Sequence, residues 1–270
     1  MTTSFTHDSS HLAQTYDRLS DSQFESGKRL CERLELKAGD RVLDVGCGTG
    51  RLARWMTERV GSTGSVVGID PLAERVAIAR GNGAGITFEV GQAEDLSAFA
   101  DGSFDVVCMS AVFHWIEDKP RALAETRRVL RPGGRLGVST LPRELMSVGS
   151  VATTMLPVLS RSPYAERVDL SKLAIATSHR TITEILTMIV EADLELGELH
   201  VMPRTRKHPT GAEVVDFLES SSFGNFLRIV PEELRAPLHA DLAAAFEARK
   251  GPEGIVTRDW GTVFVACRPR

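Results

Sequence analysis

The chain has 270 residues, of which 42% are hydrophobic and 25% charged, the proportions of an ordinary globular protein able to bury a sizeable core. Its formal net charge of −4 argues against nucleic acid as the main partner, because no basic excess is available to neutralise phosphates. The first ten residues are polar and include Asp8, which is unlike a secretion signal, and no apolar run approaches membrane-spanning length; a cytoplasmic protein with no membrane partner is expected.

In chain order, Phe24, Leu30 and Leu34 predict a helix over about 24–34. An apolar run predicts a strand at 41–45, followed by a helix at 50–60 with Leu52, Ala53, Met56 and Val60 on one face. The pattern then repeats: strand 65–69, helix 72–80, strand 86–90, a short helix at 94–99, strand 104–109, helix 119–130 and strand 135–140. Turns at 61–64, 81–83 and Pro132-Gly133-Gly134 punctuate it. Strands that alternate with helices make βαβ units and a parallel, covered sheet. Beyond Thr140 three prolines (142, 157 and 163) leave room only for short helices up to 180. A helix over 182–194, a strand over 194–202, helices over 211–222 and 231–249 and a strand over 260–267 close the chain. Pro231-Glu232-Glu233 suits a helix start, with proline in the first turn and acids near the positive end.

The most informative stretch is Asp44-Val45-Gly46-Cys47-Gly48-Thr49-Gly50, where the first strand turns into a helix. Three glycines let the backbone bend sharply and approach a ligand with no Cβ in the way. An acid beside the turn would repel the phosphates that usually occupy a helix N-terminus and would welcome a cation. The G-x-G-x-G spacing, with Arg51 following Gly50, also departs from the dinucleotide fingerprint, whose third glycine stands three places after the second.

This stretch resembles motif I of the class I S-adenosylmethionine-dependent methyltransferases. The resemblance continues over about 40–140: Val66-Val67-Gly68-Ile69-Asp70 is similar to the second strand with its terminal acid, and Phe88 to Leu96 to the adenine loop. Ser103 to Val107 is similar to the fourth strand, and Leu130 to Leu136 to the turn into the fifth. It implies a Rossmann-like α/β fold with a mostly parallel seven-stranded sheet and helices on both faces. It also implies S-adenosyl-L-methionine as cofactor, S-adenosyl-L-homocysteine as product and a small-molecule methyl acceptor. The later half, with Phe113-His114-Trp115-Ile116, is diffusely similar to carboxylate methyltransferases of the trans-aconitate and juvenile hormone acid type. The expected organisation is an N-terminal helical segment covering the cofactor (1–39), a cofactor-binding core (40–140) and a C-terminal part (141–270). That last part completes the sheet and carries a helical substrate lid, about 141–180 and 211–249, inserted before the last strand.

Within that resemblance Asp70, followed by Pro71, is placed to accept the ribose hydroxyls, a role that capping the next helix would not exclude. Gln92 by side chain and Ala93 by backbone N–H would meet the adenine; many relatives carry aspartate where Gln92 stands. Glu94 and Asp95 read better as a helix start than as ligand contacts. Asp44 would hold the methionine ammonium, or organise the loop by accepting glycine N–H bonds. Gly46, Gly48 and Gly50 would serve close approach, with Cys47 passive between them. Tyr16 and Gln23 lie in the segment that covers the cofactor in relatives, and Ser110 and Trp115 would line the methionine side.

His114 is the candidate catalytic base, since its ordinary pKa lets it take a proton near neutrality. A pocket-lining histidine is the alternative, and in-line methyl transfer needs no base when the acceptor is already ionised. The run Pro203-Arg204-Thr205-Arg206-Lys207-His208-Pro209 could draw an anionic substrate, or be a solvated loop between strand and helix. Phe217, Leu218, Phe223, Phe226, Leu227 and Ile229 could line an apolar pocket, as amphipathic helices would in any case. Cys31, Cys47, Cys108 and Cys267 show no C-x-x-C spacing and the histidines no ligand spacing, so no metal is expected. Scattered cysteines also count against an arsenic methyltransferase. A monomer and a homodimer are both compatible with the sequence.

Overall fold

The computed structural model describes residues 5–83, 85–146, 150–169, 179–226 and 229–269. Two helices come first, α1 (Ser10–Leu19) and α2 (Asp21–Arg33). The Ser9 hydroxyl accepts from the Leu12 N–H and so opens α1. Then follow β1 (Arg41–Val45), α3 (Arg51–Val60), β2 (Ser65–Asp70), α4 (Ala73–Asn82), β3 (Thr87–Val90), β4 (Phe104–Ser110), α5 (Lys119–Val129) and β5 (Leu130–Thr140). Short helices α6 (Arg143–Met146), α7 (Ser150–Leu159) and α8 (Tyr164–Arg167) precede α9 (Ile182–Glu191) and β6 (Glu195–His208). The chain ends with α10 (Gly211–Ser221), α11 (Glu232–Glu247) and β7 (Ile255–Cys267).

The seven strands form one sheet in the order β3-β2-β1-β4-β5-β7-β6. β1 is central because it is apolar on both faces: it pairs in parallel with β2 on one side and β4 on the other. β7 runs antiparallel to β5, so the sheet is mostly but not wholly parallel. The strand order reverses between β1 and β4, and both strands end at the same edge as β2. In open α/β sheets ligands bind at such carboxyl edges.

The described residues fall into two compact units. The first comprises Gln23–Leu141, Arg180–Val201 and the described part of Thr262–Arg270. Its core joins strand residues such as Leu43, Val107, Met109 and Phe264 to Leu123 of α5 and to Ile185 and Ile189 of α9. Thr181 opens α9 with a capping box, its hydroxyl accepting from the Glu184 N–H while the Glu184 carboxylate accepts from the Thr181 N–H. The second unit comprises the described parts of Met1–Ser22, Pro142–His179 and Met202–Gly261. Its core packs Met155, Val158 and Leu159 of α7 with Val214 and Val215 of α10 and Leu238, Leu242 and Phe246 of α11. Among the described residues no helix is long and apolar enough to cross a membrane.

Four expectations change. No helix forms at 94–99; the chain turns there, closed by the Asp95 N–H on the Gln92 carbonyl, and the Leu96 N–H is held by Glu125 of α5. Pro132-Gly133-Gly134 is an irregularity inside β5, where pairing with β4 shifts register between Phe104 and Val106. α1 precedes the first predicted helix. The basic run is not a solvated loop: β6 continues through it to His208, with Arg204, Arg206 and His208 on the less exposed face. The expected short helices before 180 are α6, α7 and α8; positions 147–149, 170–178 and Leu227 lie outside the described residues.

Candidate active site

The site is built at the carboxyl ends of β1, β2 and β4 in the first unit. At the end of β1 the Gly46 and Cys47 N–H groups both donate to the Ile69 carbonyl, at 2.7 and 3.0 Å. The Gly48 N–H donates to Asp70 Oδ2 at 2.9 Å, and the Gly50 N–H to the Cys47 carbonyl at 3.0 Å. Every glycine N–H of the turn therefore has an acceptor, and none of them is Asp44. Asp70 is the organiser, since its second oxygen takes the Leu72 N–H at 2.9 Å ahead of α4. Pro71 leads from β2 into that turn.

All three glycines hold positive φ, at +72°, +55° and +79°. A Cβ on Gly46 would lie 2.2 Å from Val112 Cγ2, and one on Gly50 would lie 2.8 Å from Phe88 Cζ. At these two positions the close approach is to protein: Gly46 admits the loop after β4, and Gly50 lets the start of α3 settle against β3 and α4.

Asp44 is left in an unusual state. It is 2% exposed, its Oδ2 is fully buried, and among the described residues no hydrogen bond reaches that atom. Burial, with the nearby charge of Asp70 adding to it, pushes its pKa up from 3.8 to about 7. A sealed carboxyl oxygen without a donor is costly. A ligand meets this carboxyl through Oδ1, which is neither sealed nor hydrogen-bonded among the described residues, and an ammonium such as that of S-adenosylmethionine suits it in donor and in charge, so these residues fit that cofactor. The Cys47 thiol, 3.8 Å from the Gly48 carbonyl oxygen, is pushed above its ordinary pKa by burial and by the charges of Asp44 and Asp70. It is no nucleophile.

After β3, Gln92 is exposed, Ala93 is buried, and the Ala93 N–H meets no acceptor among the described residues. Glu94 is not a helix start: its Oε1 accepts the Glu117 and Asp118 N–H groups and ties this loop to the one after β4. That second loop begins with Ala111 at φ +59°, a conformation uncommon for a residue with a side chain. Ser139 holds it there, accepting the Ala111 N–H with both its carbonyl (2.9 Å) and its hydroxyl (3.0 Å). The turn continues with the Trp115 N–H on the Val112 carbonyl.

His114 and Trp115 are half-buried, with ring centroids 5.0 Å apart. His114 Nδ1 lies 3.1 Å from the hydroxyl of Thr140, a buried residue at the end of β5. If Nδ1 donates to the threonine, Nε2 keeps its lone pair and is the basic nitrogen. On α2, Gly27 packs so closely that a Cβ would lie 2.7 Å from Leu52 Cδ2 and 3.1 Å from Ser110 Oγ. Gln23 stands one turn before Gly27 on the same helix face. The structure thus gathers Gln23, Asp44, the glycines, Asp70 and Ser110 to His114 in one unit; Tyr16, on α1, belongs to the other. Val112, Ser139 and Thr140 were missed in the sequence. A polar Ser-Thr pair closing an apolar strand was the one available signal for the last two.

Residues 43–138 match the family model of a methyltransferase domain. The chain is 32% identical over 200 residues to the chloroplastic 2-phytyl-1,4-beta-naphthoquinone methyltransferase of Arabidopsis thaliana, covering 67% of this chain and 76% of that one. It is 28% identical over 288 residues to the nocamycin O-methyltransferase of Saccharothrix syringae, covering 96% of each. Several other curated relatives are matched over about half of their own length or less. A proposed methyltransferase of Bacillus halodurans C-125 has a similar structure, with a TM-score of 0.59 and 21% identity over 93% of this chain and 100% of that one.

Proposed function

This chain belongs to the class I S-adenosylmethionine-dependent methyltransferases, enzymes that take S-adenosylmethionine as methyl donor, and we propose that it methylates an oxygen of a small organic molecule. The observation that carries the cofactor reading is the Asp44 carboxyl, without a donor among the described residues, beside a glycine turn already organised by Asp70. Support for oxygen as the reacting atom is the relative named an O-methyltransferase that matches over nearly the whole chain.

In this reading Asp44 accepts the cofactor's ammonium and Asp70 turns its remaining lone pairs to the ribose hydroxyls. Ala93 offers its unpaired N–H, and Gln92 its exposed amide, to the adenine edge. Gln23, Ser110 and Trp115 flank the methionine part. The bound sulfonium makes its methyl group electrophilic; the protein's task is to align the acceptor with it. Alignment alone lowers such barriers by on the order of several kcal/mol. With a hydroxyl acceptor, His114 Nε2 takes the proton, its ring held by Thr140; an ionised carboxylate needs no such step.

A second reading, methylation of a quinone-type ring, is favoured by the Arabidopsis relative, whose name specifies a naphthoquinone. Incubation with methyl-labelled S-adenosylmethionine and cell extract, followed by mass spectrometry, separates the two. Label lost on ester or ether cleavage supports oxygen; label that survives both marks carbon. Calorimetry tests the shared premise: S-adenosylhomocysteine binds and NAD does not, and binding of neither removes the function.

A further inference from the structure

The face of β6 that carries Arg204, Arg206 and His208 buries more positive than negative charge. Arg204 donates to Asp259 of β7 through Nε (2.9 Å to Oδ1) and Nη2 (3.4 Å to Oδ2). Arg206 donates through Nη1 to Asp259 Oδ2 at 2.5 Å and through Nε to the Ser22 hydroxyl at 3.0 Å, and it lies 5.3 Å from the centroid of the Phe217 ring. Two guanidinium groups thus share one carboxylate. His208 adds no charge, because burial and then the Arg206 cation pull its pKa down from 6.5 to about 4.

The arrangement also looks built for access. Position 261 is glycine; a Cβ there would lie 2.8 Å from Arg204 Cδ, so the arginine stem lies flat across β7 only because that side chain is missing. The two arginine side chains are 15% and 11% exposed. Nη1 of Arg204 and Nη2 of Arg206 make no hydrogen bond among the described residues, yet neither atom is sealed from solvent. What remains is a pair of donor edges and one uncompensated positive charge. A monoanion with two coplanar oxygens matches both. A phosphate dianion would overshoot the balance and leave a buried negative excess.

We infer that Arg204 and Arg206 form a carboxylate-binding subsite that recognises an organic acid. A carboxylate held between two guanidinium forks has its lone pairs occupied and is a poor nucleophile, so the subsite is a recognition handle.

The test is calorimetric titration of the full chain with 3-phenylpropionate, with 3-phenylpropionamide as the neutral counterpart and with inorganic phosphate. Saturable 1:1 binding of the acid, at least tenfold weaker binding of the amide and of phosphate, and a tenfold or greater loss in Arg206→Met are expected. Arg206→Lys, which keeps the charge without the fork, falls between. Equal binding of acid and amide, tighter binding of phosphate, or unchanged acid affinity in both Arg204→Met and Arg206→Met overturns the subsite. Should those variants fail to fold, the native chain labelled with 15N-arginine decides it. Saturable shifts of two Nε–Hε signals with the acid and not the amide support the subsite, and no such shift removes it. S-adenosylhomocysteine affinity of the native chain is measured alongside. Its absence would strike the proposed function, whereas failure of the acid to bind strikes only the handle.

Discussion

At the ends of β1 and β2 two carboxylates share one buried turn, whereas on β6 and β7 two guanidiniums share one carboxylate. Each region buries like charges close together, and each partners only part of that charge. Asp70 takes two backbone N–H groups, and Asp259 takes both arginines. Asp44, without a donor, and the unused edges of Arg204 and Arg206 are what remains. In the two proposals above the sign of the remainder selects the ligand: a cation for the first region, an anion for the second. A balanced ion pair would have attracted neither.

Removing the shared partner should break the second region most. Asp259→Ala strands two largely buried guanidiniums, and a loss of about 4 kcal/mol in stability is expected, seen as a fall of roughly 10 °C in Tm. A change under 2 °C would mean the arginines are better solvated than their burial indicates. The same operation on the first region, Asp70→Ala, frees the Gly48 and Leu72 N–H groups and removes the ribose acceptor. S-adenosylhomocysteine affinity should drop by roughly a hundredfold, about 3 kcal/mol. Unchanged affinity would show that the turn keeps its shape without this carboxylate and that the ribose lies elsewhere.

Asp44 sharpens the comparison through pH. Its folded pKa of about 7 lies above the ordinary 3.8, so the folded chain holds this proton more tightly than the unfolded one. Without ligand, stability relative to Asp44→Asn should fall as pH rises from about 4 to about 7 and level off above that. Binding an ammonium favours the ionised form, so at pH 6 S-adenosylhomocysteine should release nearly one proton, and at pH 8 almost none. Calorimetry in buffers of different ionisation heats reads that number directly; zero release at pH 6 would detach Asp44 from the ammonium. In Asp44→Asn the release should vanish and affinity fall about tenfold, roughly 1.4 kcal/mol.

The smallest effect expected is at His114. His114→Gln should lower turnover about tenfold on a hydroxyl acceptor and hardly at all on an ionised carboxylate, with Thr140→Val reproducing a few-fold loss. An identical pH–rate profile for His114→Gln and the native enzyme would reduce the histidine to a lining role.

The first region was largely legible because its information is local. Asp44, Gly46, Gly48 and Gly50 lie within seven residues, and the strand–turn–helix that displays them has its own periodicity. What was not legible is which aspartate does which work. The sequence allows Asp44 to accept the glycine N–H bonds; the structure gives that of Gly48 to Asp70, 22 positions beyond it, and those of Gly46 and Gly50 to backbone carbonyls. Gly46 could not be matched to Val112, nor His114 to Thr140, for the same reason: each pair meets across neighbouring strands. In the second region the periodicity itself misled, since prolines at 203 and 209 bracket a run that reads as loop. Pro203 sits on β6, an edge strand, where a missing N–H is tolerated.

By itself, then, the order of amino acids determined the alternation of strand and helix, the parallel sheet, the glycine turn and an acid placed to repel phosphate. These follow from contacts within a few residues and from hydrophobic period, which act before the chain has a tertiary fold. Tertiary structure decided the balance of charge. Whether Asp44 is paired, and whether two arginines share one carboxylate, depends on residues as far apart as Arg204 and Asp259, 55 positions along the chain. Burial then sets what the imbalance is worth, because an unpaired charge costs little in water and much inside a protein.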